Sequence, residues 1–189
     1  MTYFLDVTEP EKADAQLTET YDHLLSLFHT TPKVFMAQSI RPDLLAPLVV
    51  YVDRLMFQKY ALSRETKELI AAYISKLNSC EYCVDAHSAF AMAQGFSREE
   101  VQSVLDDIDN SSLIDEKTKL LLKYAGKINK EASKIDSGTV QALKDKGCTD
   151  EELFETVAVT ALFNFMDRMA DSLGAPIDKF QDMVEQGKL

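Results

Sequence analysis

Apolar residues recur every three or four positions along most of the chain, and this spacing is typical of amphipathic helices. The first such stretch runs to Phe28, and Thr8 is its predicted N-cap, with Pro10 in the first turn. Ser63 is the predicted N-cap of a later helix whose apolar residues fall on one face. Nowhere do apolar and polar residues alternate for long enough to indicate a β-strand. The pattern therefore predicts an all-α fold.

Prolines, glycines and capping residues give the bounds of the other predicted helices. Pro32 and Pro42 interrupt the N-terminal third, Gly95 ends one helix, and residues 97–100 form a capping box that begins another. In chain order, we expect helices at residues 34–40, 44–60, 64–77, 80–94, 97–107, 115–129, 137–146, 150–173 and 177–186.

The composition agrees with one helical domain and excludes several classes of partner. The chain has 189 residues, of which 46% are hydrophobic, so we expect a single domain over residues 1–189 with a substantial core. Its net charge of −11 argues against binding to nucleic acid, which needs clustered basic residues. The sequence shows neither a signal peptide nor an apolar run that would cross a membrane. We therefore expect a cytoplasmic protein without a membrane or nucleic-acid partner.

Two cysteines and a histidine at helical spacing are the most informative residues of the chain. On a helix, Cys80, Cys83 and His87 lie within about 60° of arc, so both sulfurs and the imidazole share one stripe. A thiol at a helix N-terminus is acidified by the helix dipole, which favours Cys80 as the more acidic thiol. His87, four residues after Cys83, is placed to accept its proton. Such an activated dithiol can reduce a peroxide through a sulfenic acid and a disulfide.

Three other interpretations of the cysteine pair remain open. A zinc site would have only three ligands at this spacing, whereas a structural site uses four. A thioredoxin-like protein uses the same pair but needs alternating strands and helices. Free cysteines also pack as small core residues.

Glu68 and Tyr82 are further candidates that carry polar groups. Glu68 precedes Cys80 on the predicted helix before it and would either orient His87 or lie on a solvated face. Tyr82 would donate a hydroxyl near the sulfurs or pack at a subunit contact. Asp167 is predicted to form a surface ion pair with Arg168.

Parts of the sequence repeat at an offset of 52 residues, as Gly95 and Gly147 illustrate. The repeated units lie near residues 61–104 and 113–156 and indicate an internal duplication, although any two helix-turn-helix units share caps and glycines. Only the first unit has reactive groups. The positions aligned with the two cysteines and the histidine hold Ala132, Ile135 and Thr139. We therefore expect one site per chain.

The Glu68, Cys80-x-x-Cys83 and His87 set resembles the signature of the alkylhydroperoxidase D-like superfamily, which includes the carboxymuconolactone decarboxylase family. Residues 31–35, 41–45, 62–70, 79–87 and 164–174 resemble its peroxidase-related branch. The resemblance implies a helical fold built on a duplicated unit, assembled as homotrimers or homohexamers. It also implies a dithiol that reduces hydroperoxides and is reset by a thiol or dithiol reductant.

The same resemblance implies roles for the site residues. Glu68 and His87 would relay protons, Cys83 would attack the peroxide, and Cys80 would resolve it, with no flavin, haem or metal. This chain departs from the characterised alkylhydroperoxidase, which has a histidine between its cysteines where Tyr82 stands here. Since tyrosine is not a base near neutral pH, the relay would be shorter. Two other functions remain open, namely a non-catalytic redox sensor, or a small-acid decarboxylase or isomerase that uses Glu68 and His87.

Overall fold

The computed structural model describes residues 3–188, and its regular structure in that range is entirely helical. The all-α prediction is confirmed. No helix in this range is long and apolar enough to cross a membrane. The α-helices are α1 (Ala15–Phe28), α2 (Lys33–Met36), α3 (Pro42–Val52), α4 (Arg64–Leu77), α5 (Glu81–Met92), α6 (Arg98–Asp106), α7 (Glu116–Glu131), α8 (Ser137–Lys144), α9 (Asp150–Leu173) and α10 (Phe180–Glu185).

The N-terminal third differs most from the prediction. Thr8 caps no helix, because Pro10–Lys12 form only a 3₁₀ turn and α1 begins after Asp14, whose carboxylate accepts the amide hydrogen of Leu17. The predicted helix at 44–60 is two pieces, α3 and a π-helical turn at Asp53–Phe57. In both places a local backbone change ends the helix although the apolar spacing continues across it.

Helix α4 is the centre of the molecule and packs against α5, α7 and α9. Its side chains from Leu69 to Ala72 are fully buried. Ala71 and Ala72 are small, which lets the neighbouring helices approach closely. The polar residues of α4 that lie among these helices are therefore also removed from solvent, and Glu68 is one of them.

Two pairs of helices begin at equal spacing along the chain. Helices α4 and α7 begin at Arg64 and Glu116, and α6 and α9 begin at Arg98 and Asp150, so each pair is offset by 52 residues. Helices α5 and α8 do not keep this offset. The internal duplication stays a prediction.

The C-terminal segment, residues 175–185, returns across α5. Gly174 ends α9 in the left-handed conformation with φ of 67°, and the chain then passes to α10, which packs against α5. Phe180 is 1% exposed and lies against Phe90, with 5.2 Å between ring centroids. This segment therefore forms one wall of the interior next to the cysteine-bearing helix.

Candidate active site

A tight turn between α4 and α5 positions the two cysteines. Ser79 adopts the left-handed conformation with φ of 62°, and Cys80 follows as the N-cap of α5. Its sulfur accepts the backbone N–H of Cys83 at 3.4 Å. Helix α5 thus begins one residue later than predicted, and the sulfur of Cys80 itself satisfies one of its free amide groups.

Glu68 reaches from α4 to His87 on α5, and 2.6 Å separates its Oε2 from the histidine Nδ1. Its other oxygen accepts the Nε–H of Arg64 at 2.5 Å. Burial raises the pKa of the Glu68 carboxyl, but Arg64 and His87 together lower it further, so the net pKa is below its usual value. Glu68 is therefore a buried carboxylate that orients His87, not a residue of a solvated face.

The imidazole of His87 is held in one orientation by this bond and by an aromatic contact. Its ring meets Phe163 of α9 edge to face, with centroids 4.1 Å apart. Because Nδ1 faces Glu68, Nε2 is the nitrogen available to a substrate. Within residues 3–188, no hydrogen bond joins His87 to either sulfur. The helical spacing brings His87 and Cys83 to the same cavity, but no hydrogen bond joins them among the described residues.

A small cavity of about 40 Å³ lies beside these residues. Its polar lining includes Cys83, His87, Glu68 and Arg64, whereas Cys80 does not line it. The rest of the wall is largely aromatic, with the rings of Phe28, Phe35, Phe57, Phe90, Phe163 and Phe180. The cavity thus offers a reactive sulfur and a hydrogen-bonding imidazole inside an apolar chamber.

Both thiols are buried and free, Cys80 being 0% and Cys83 3% exposed. The hydrogen bond with Cys80, burial and the nearby Asp167 carboxylate raise the pKa of the Cys83 thiol well above its usual value. Cys83 therefore rests as a neutral thiol. It needs a proton acceptor when it reacts.

Asp167 is the residue of the site whose role the sequence did not reveal. It is 1% exposed, so the predicted surface ion pair with Arg168 is wrong. Its carboxylate accepts hydrogen bonds from Ser75 at 2.8 Å and from Asn78 at 2.7 Å. One of its oxygens and the two sulfurs all lie within 4.8 Å of one another. The only sequence signal was an aspartate inside an apolar run of a long helix.

Tyr82 lies inside the chain, and its ring lines the cavity. Its hydroxyl donates to Asp178 at 2.5 Å and accepts the backbone N–H of Val34 at 3.1 Å. Burial and the Asp178 carboxylate raise the pKa of the Tyr82 hydroxyl well above its usual value. The hydroxyl faces the C-terminal segment rather than the sulfurs, and the ring is not at an exposed surface, which differs from both predicted placements.

The two sulfurs and the Asp167 carboxylate are also the group that the described residues offer to a metal ion. A closed zinc site uses four protein ligands, and this group supplies three. Both carboxylate oxygens already accept hydrogen bonds, one from Ser75 and one from Asn78. The donor set therefore suits a hydrogen-bonded dithiol better than a structural zinc site.

Comparisons with known proteins find similarity to one family model and to several solved structures. The model of the carboxymuconolactone decarboxylase family matches residues 42–110. A crystal structure from Ralstonia eutropha JMP134, described as an alkylhydroperoxidase AhpD core and an uncharacterised peroxidase-related protein, is 26% identical, with a TM-score of 0.86 over 99% of this chain and 97% of that chain. An uncharacterised peroxidase-related protein from Silicibacter sp. TM1040 is 21% identical, with a TM-score of 0.81 over 95% of this chain and 94% of that chain.

A third similar structure is a cysteine-to-alanine variant of the debrominase Bmp8 in complex with 2,3,4-tribromopyrrole. It is 17% identical, with a TM-score of 0.81 over 100% of this chain and 99% of that chain, a likeness of fold. No curated protein matches the chain. Residues 42–110 therefore resemble the carboxymuconolactone decarboxylase family, and the chain as a whole shares the fold of the alkylhydroperoxidase AhpD core structure.

Proposed function

We propose that the protein is a thiol-dependent peroxidase that reduces hydroperoxides through the Cys80–Cys83 dithiol. The observation that carries the proposal is the shared cavity wall of Cys83 and His87, with Glu68 bonded to the far side of the imidazole. A thiol, a base and an orienting carboxylate are the parts that an activated nucleophile needs. Cys80 adjoins Cys83 and is placed to close a disulfide.

In the first step, Nε2 of His87 takes the proton of Cys83 as hydroperoxide enters the cavity. The thiolate attacks the terminal peroxide oxygen, the O–O bond breaks, and Cys83 becomes a sulfenic acid. The leaving alkoxide takes the proton back from His87. Glu68 stabilises the transient imidazolium, because its carboxylate is 2.6 Å from Nδ1 and stays ionised at neutral pH.

The size and lining of the cavity support a small, apolar hydroperoxide as the substrate. A volume of about 40 Å³ has room for about three water molecules. A peroxide group fits there, whereas a larger organic group needs the adjoining wall to yield. Phe180, which belongs to the C-terminal segment, is one residue of that wall.

A thiol or dithiol reductant would then restore the pair by thiol–disulfide exchange. Such a cycle needs a compartment that supplies reduced thiols, and this agrees with the expected cytoplasmic location. Because both sulfurs are buried, we expect a small thiol or an extended dithiol segment to reach them more readily than a folded surface.

The decisive experiment is to add stoichiometric hydroperoxide to the fully reduced protein, stop with an alkylating agent, and follow thiol loss by intact mass. We expect rapid loss of two thiols without a mass adduct, abolished by Cys80→Ser and by Cys83→Ser. Cys148→Ser is the matched control, since this third thiol lies outside the site. Thiols that persist under excess peroxide would contradict the proposal. Turnover retained by the double Cys80→Ser, Cys83→Ser variant would point to acid–base chemistry by Glu68 and His87.

A second candidate function is reductive removal of a halogen from a small aromatic ring. The aromatic lining of the cavity favours it, because planar rings pack well against phenylalanines. In this reaction the dithiol supplies two electrons, a proton replaces the halogen on carbon, halide leaves, and the disulfide forms. Release of bromide from 2,3,4-tribromopyrrole by the reduced protein, without loss of thiols to hydroperoxide, would favour this function over the first.

We also propose that the chain forms a homotrimer or homohexamer. Large apolar side chains stand exposed around one groove, with Phe154 71%, Tyr60 61% and Tyr51 49% exposed. Contiguous apolar surface of this kind is typical of subunit contacts. Sedimentation velocity should give a trimer or hexamer, and Phe154→Glu should shift it toward monomer. A wild-type monomer would contradict the assembly but not the peroxidase.

A further inference from the structure

Asp167 lies on the closed side of the dithiol, away from the cavity. Its carboxylate and both sulfurs lie within 4.8 Å of one another, but neither Asp167 nor Cys80 lines the cavity. Cys83 and His87 do line it. Both sulfurs therefore lie near the buried carboxylate, but only the sulfur of Cys83 also faces the imidazole chamber.

The groups that hold the Asp167 carboxylate are neutral. Ser75 of α4 and Asn78, the residue after α4, donate to its two oxygens, and the thiols of Cys80 and Cys83 lie near it. Arg168, the next residue of α9, is exposed and donates to Asn164 instead. In the range that the structure describes, no salt bridge neutralises Asp167.

Closing the disulfide requires two thiol protons to leave, and His87 accounts for one. If Cys83 uses His87, Cys80 needs its own acceptor, because it is fully buried and forms no hydrogen bond with the imidazole among the described contacts. We propose that Asp167 is the proton acceptor for Cys80 in the resolving step. The proposal rests on the dithiol cycle of the proposed function. The step itself does not depend on which reagent converts Cys83 to the form that Cys80 attacks.

The chemistry of the step balances. Cys80 transfers its proton to the Asp167 carboxylate and its sulfur attacks the sulfur of the Cys83 sulfenic acid. An S–S bond forms, the S–O bond breaks, and hydroxide leaves with the proton from Asp167 as water. Over the whole cycle one hydroperoxide and two thiols give one alcohol, one water and one disulfide, and Asp167 returns to a carboxylate.

The raised pKa of the Cys83 thiol agrees with the position of the Asp167 carboxylate close to the sulfurs. After the hydrogen bond with Cys80 and burial, the Asp167 carboxylate is the next cause of that increase. A carboxylate at this position opposes a resting thiolate on Cys83, because the thiolate would be a second negative charge beside it.

The test forms a mixed disulfide on Cys83 without peroxide and measures the rate at which Cys80 replaces it with the Cys80–Cys83 disulfide. Methyl methanethiosulfonate converts Cys83 to its S-methylthio adduct with loss of methanesulfinate, and attack by Cys80 then releases methanethiolate. Rapid acid quenching and intact mass separate the adduct from the disulfide. We expect Asp167→Asn to accumulate the adduct and to close about a hundredfold more slowly than wild type at neutral pH, the scale of general base catalysis. The deficit should shrink as pH rises, because hydroxide then deprotonates Cys80.

A purely structural role would slow closure equally at every pH, and that result, or closure at the wild-type rate, would overturn the proposal. The matched control is Asp171→Asn, an exposed carboxylate one turn along the same helix, which should close as wild type does. If Asp167→Asn does not fold, Ser75→Ala keeps the carboxylate but removes one hydrogen bond that fixes it. It should also close slowly with the same pH trend, and unchanged closure would again overturn the proposal.

A parallel arm with stoichiometric hydroperoxide separates the two proposals. Asp167-dependent closure of the S-methylthio adduct in a protein that peroxide does not oxidise would refute the peroxidase but leave Asp167 as the acceptor. If wild type is oxidised by peroxide, and Asp167→Asn forms the disulfide at the wild-type rate in both arms, only the role of Asp167 is refuted. A wild-type protein that forms neither the S-methylthio adduct nor the disulfide with methyl methanethiosulfonate would also overturn the role of Asp167.

Discussion

Replacing Phe180 by alanine should loosen the C-terminal segment. Phe180 is almost fully buried, and its ring packs on Phe90 and lines the cavity. Its backbone N–H also donates to Asp85 at 2.8 Å, and this bond remains in the variant. The ring is thus the main apolar anchor of residues 175–185, while the hydrogen bonds of the segment are left in place.

The magnitude follows from the burial of the ring. Truncation of a buried phenylalanine to alanine costs about 3–5 kcal/mol. If this lost free energy stabilised the segment against local opening, the population of the open state rises in the variant. The increase is about two to three and a half orders of magnitude, because each 1.4 kcal/mol corresponds to a factor of ten. Such local opening should leave α4 and α9 intact, because α10 packs mainly against α5.

Hydrogen–deuterium exchange read by mass spectrometry measures this directly. Peptides from the last fifteen residues should exchange faster in Phe180→Ala by the factor above, and those from α4 and α9 should not. Phe154→Ala is the control, since that ring is largely exposed and should change neither. Unchanged exchange in the segment, or faster exchange only in α4 and α9, would refute the reasoning. In the same variant, Cys83 should react faster with a bulky organic hydroperoxide.

Three further predictions follow from individual residues. Ser79→Gly should raise the free energy of unfolding in urea by about 1 kcal/mol, because glycine adopts the left-handed conformation without strain; lower stability would contradict this. The pKa of Glu68 lies below its usual 4.5, so its stabilisation is complete above that pH and is lost as pH falls through the folded-state pKa. The stability advantage of wild type over Glu68→Gln in urea should therefore shrink below pH 4.5, and a constant gap would refute it. Cys80→Ala removes the largest cause of the raised Cys83 pKa, so Cys83 should be alkylated by iodoacetamide at lower pH than in wild type; an unchanged pH profile would argue against that cause.

Local signals explain what the sequence predicted well. Ser63 caps α4 and Ser97 begins a capping box, since each needs only the amide groups of the next turn. The pairing of Glu68 with His87 joins two consecutive helices, and the short connection between them restricts which faces meet. These features depend on residues near one another in the chain, so their spacing carries the information.

Long-range packing explains what the sequence could not predict. Asp167 meets Ser75 and Asn78 only because α9 crosses α4, and Tyr82 meets Asp178, 96 residues later, only because the C-terminal segment returns over α5. The spacing of residues along the chain does not indicate which distant helices cross. The failed cap at Thr8 has a local cause, because Pro10 leads into a single 3₁₀ turn and Asp14 offers a competing cap four residues later.

The position of α9 in the chain has a consequence for dividing the protein. The family match ends at residue 110, yet Phe163 and Asp167, which contact His87 and the dithiol, lie beyond it on α9. Cys80, Cys83, Glu68 and His87 all lie before it. A chain divided in the connection between α6 and α7 would therefore give two fragments that each hold only part of one site. Neither fragment would carry the chemistry alone, and recovery of the reaction on mixing would report their association, as in a split-protein reporter.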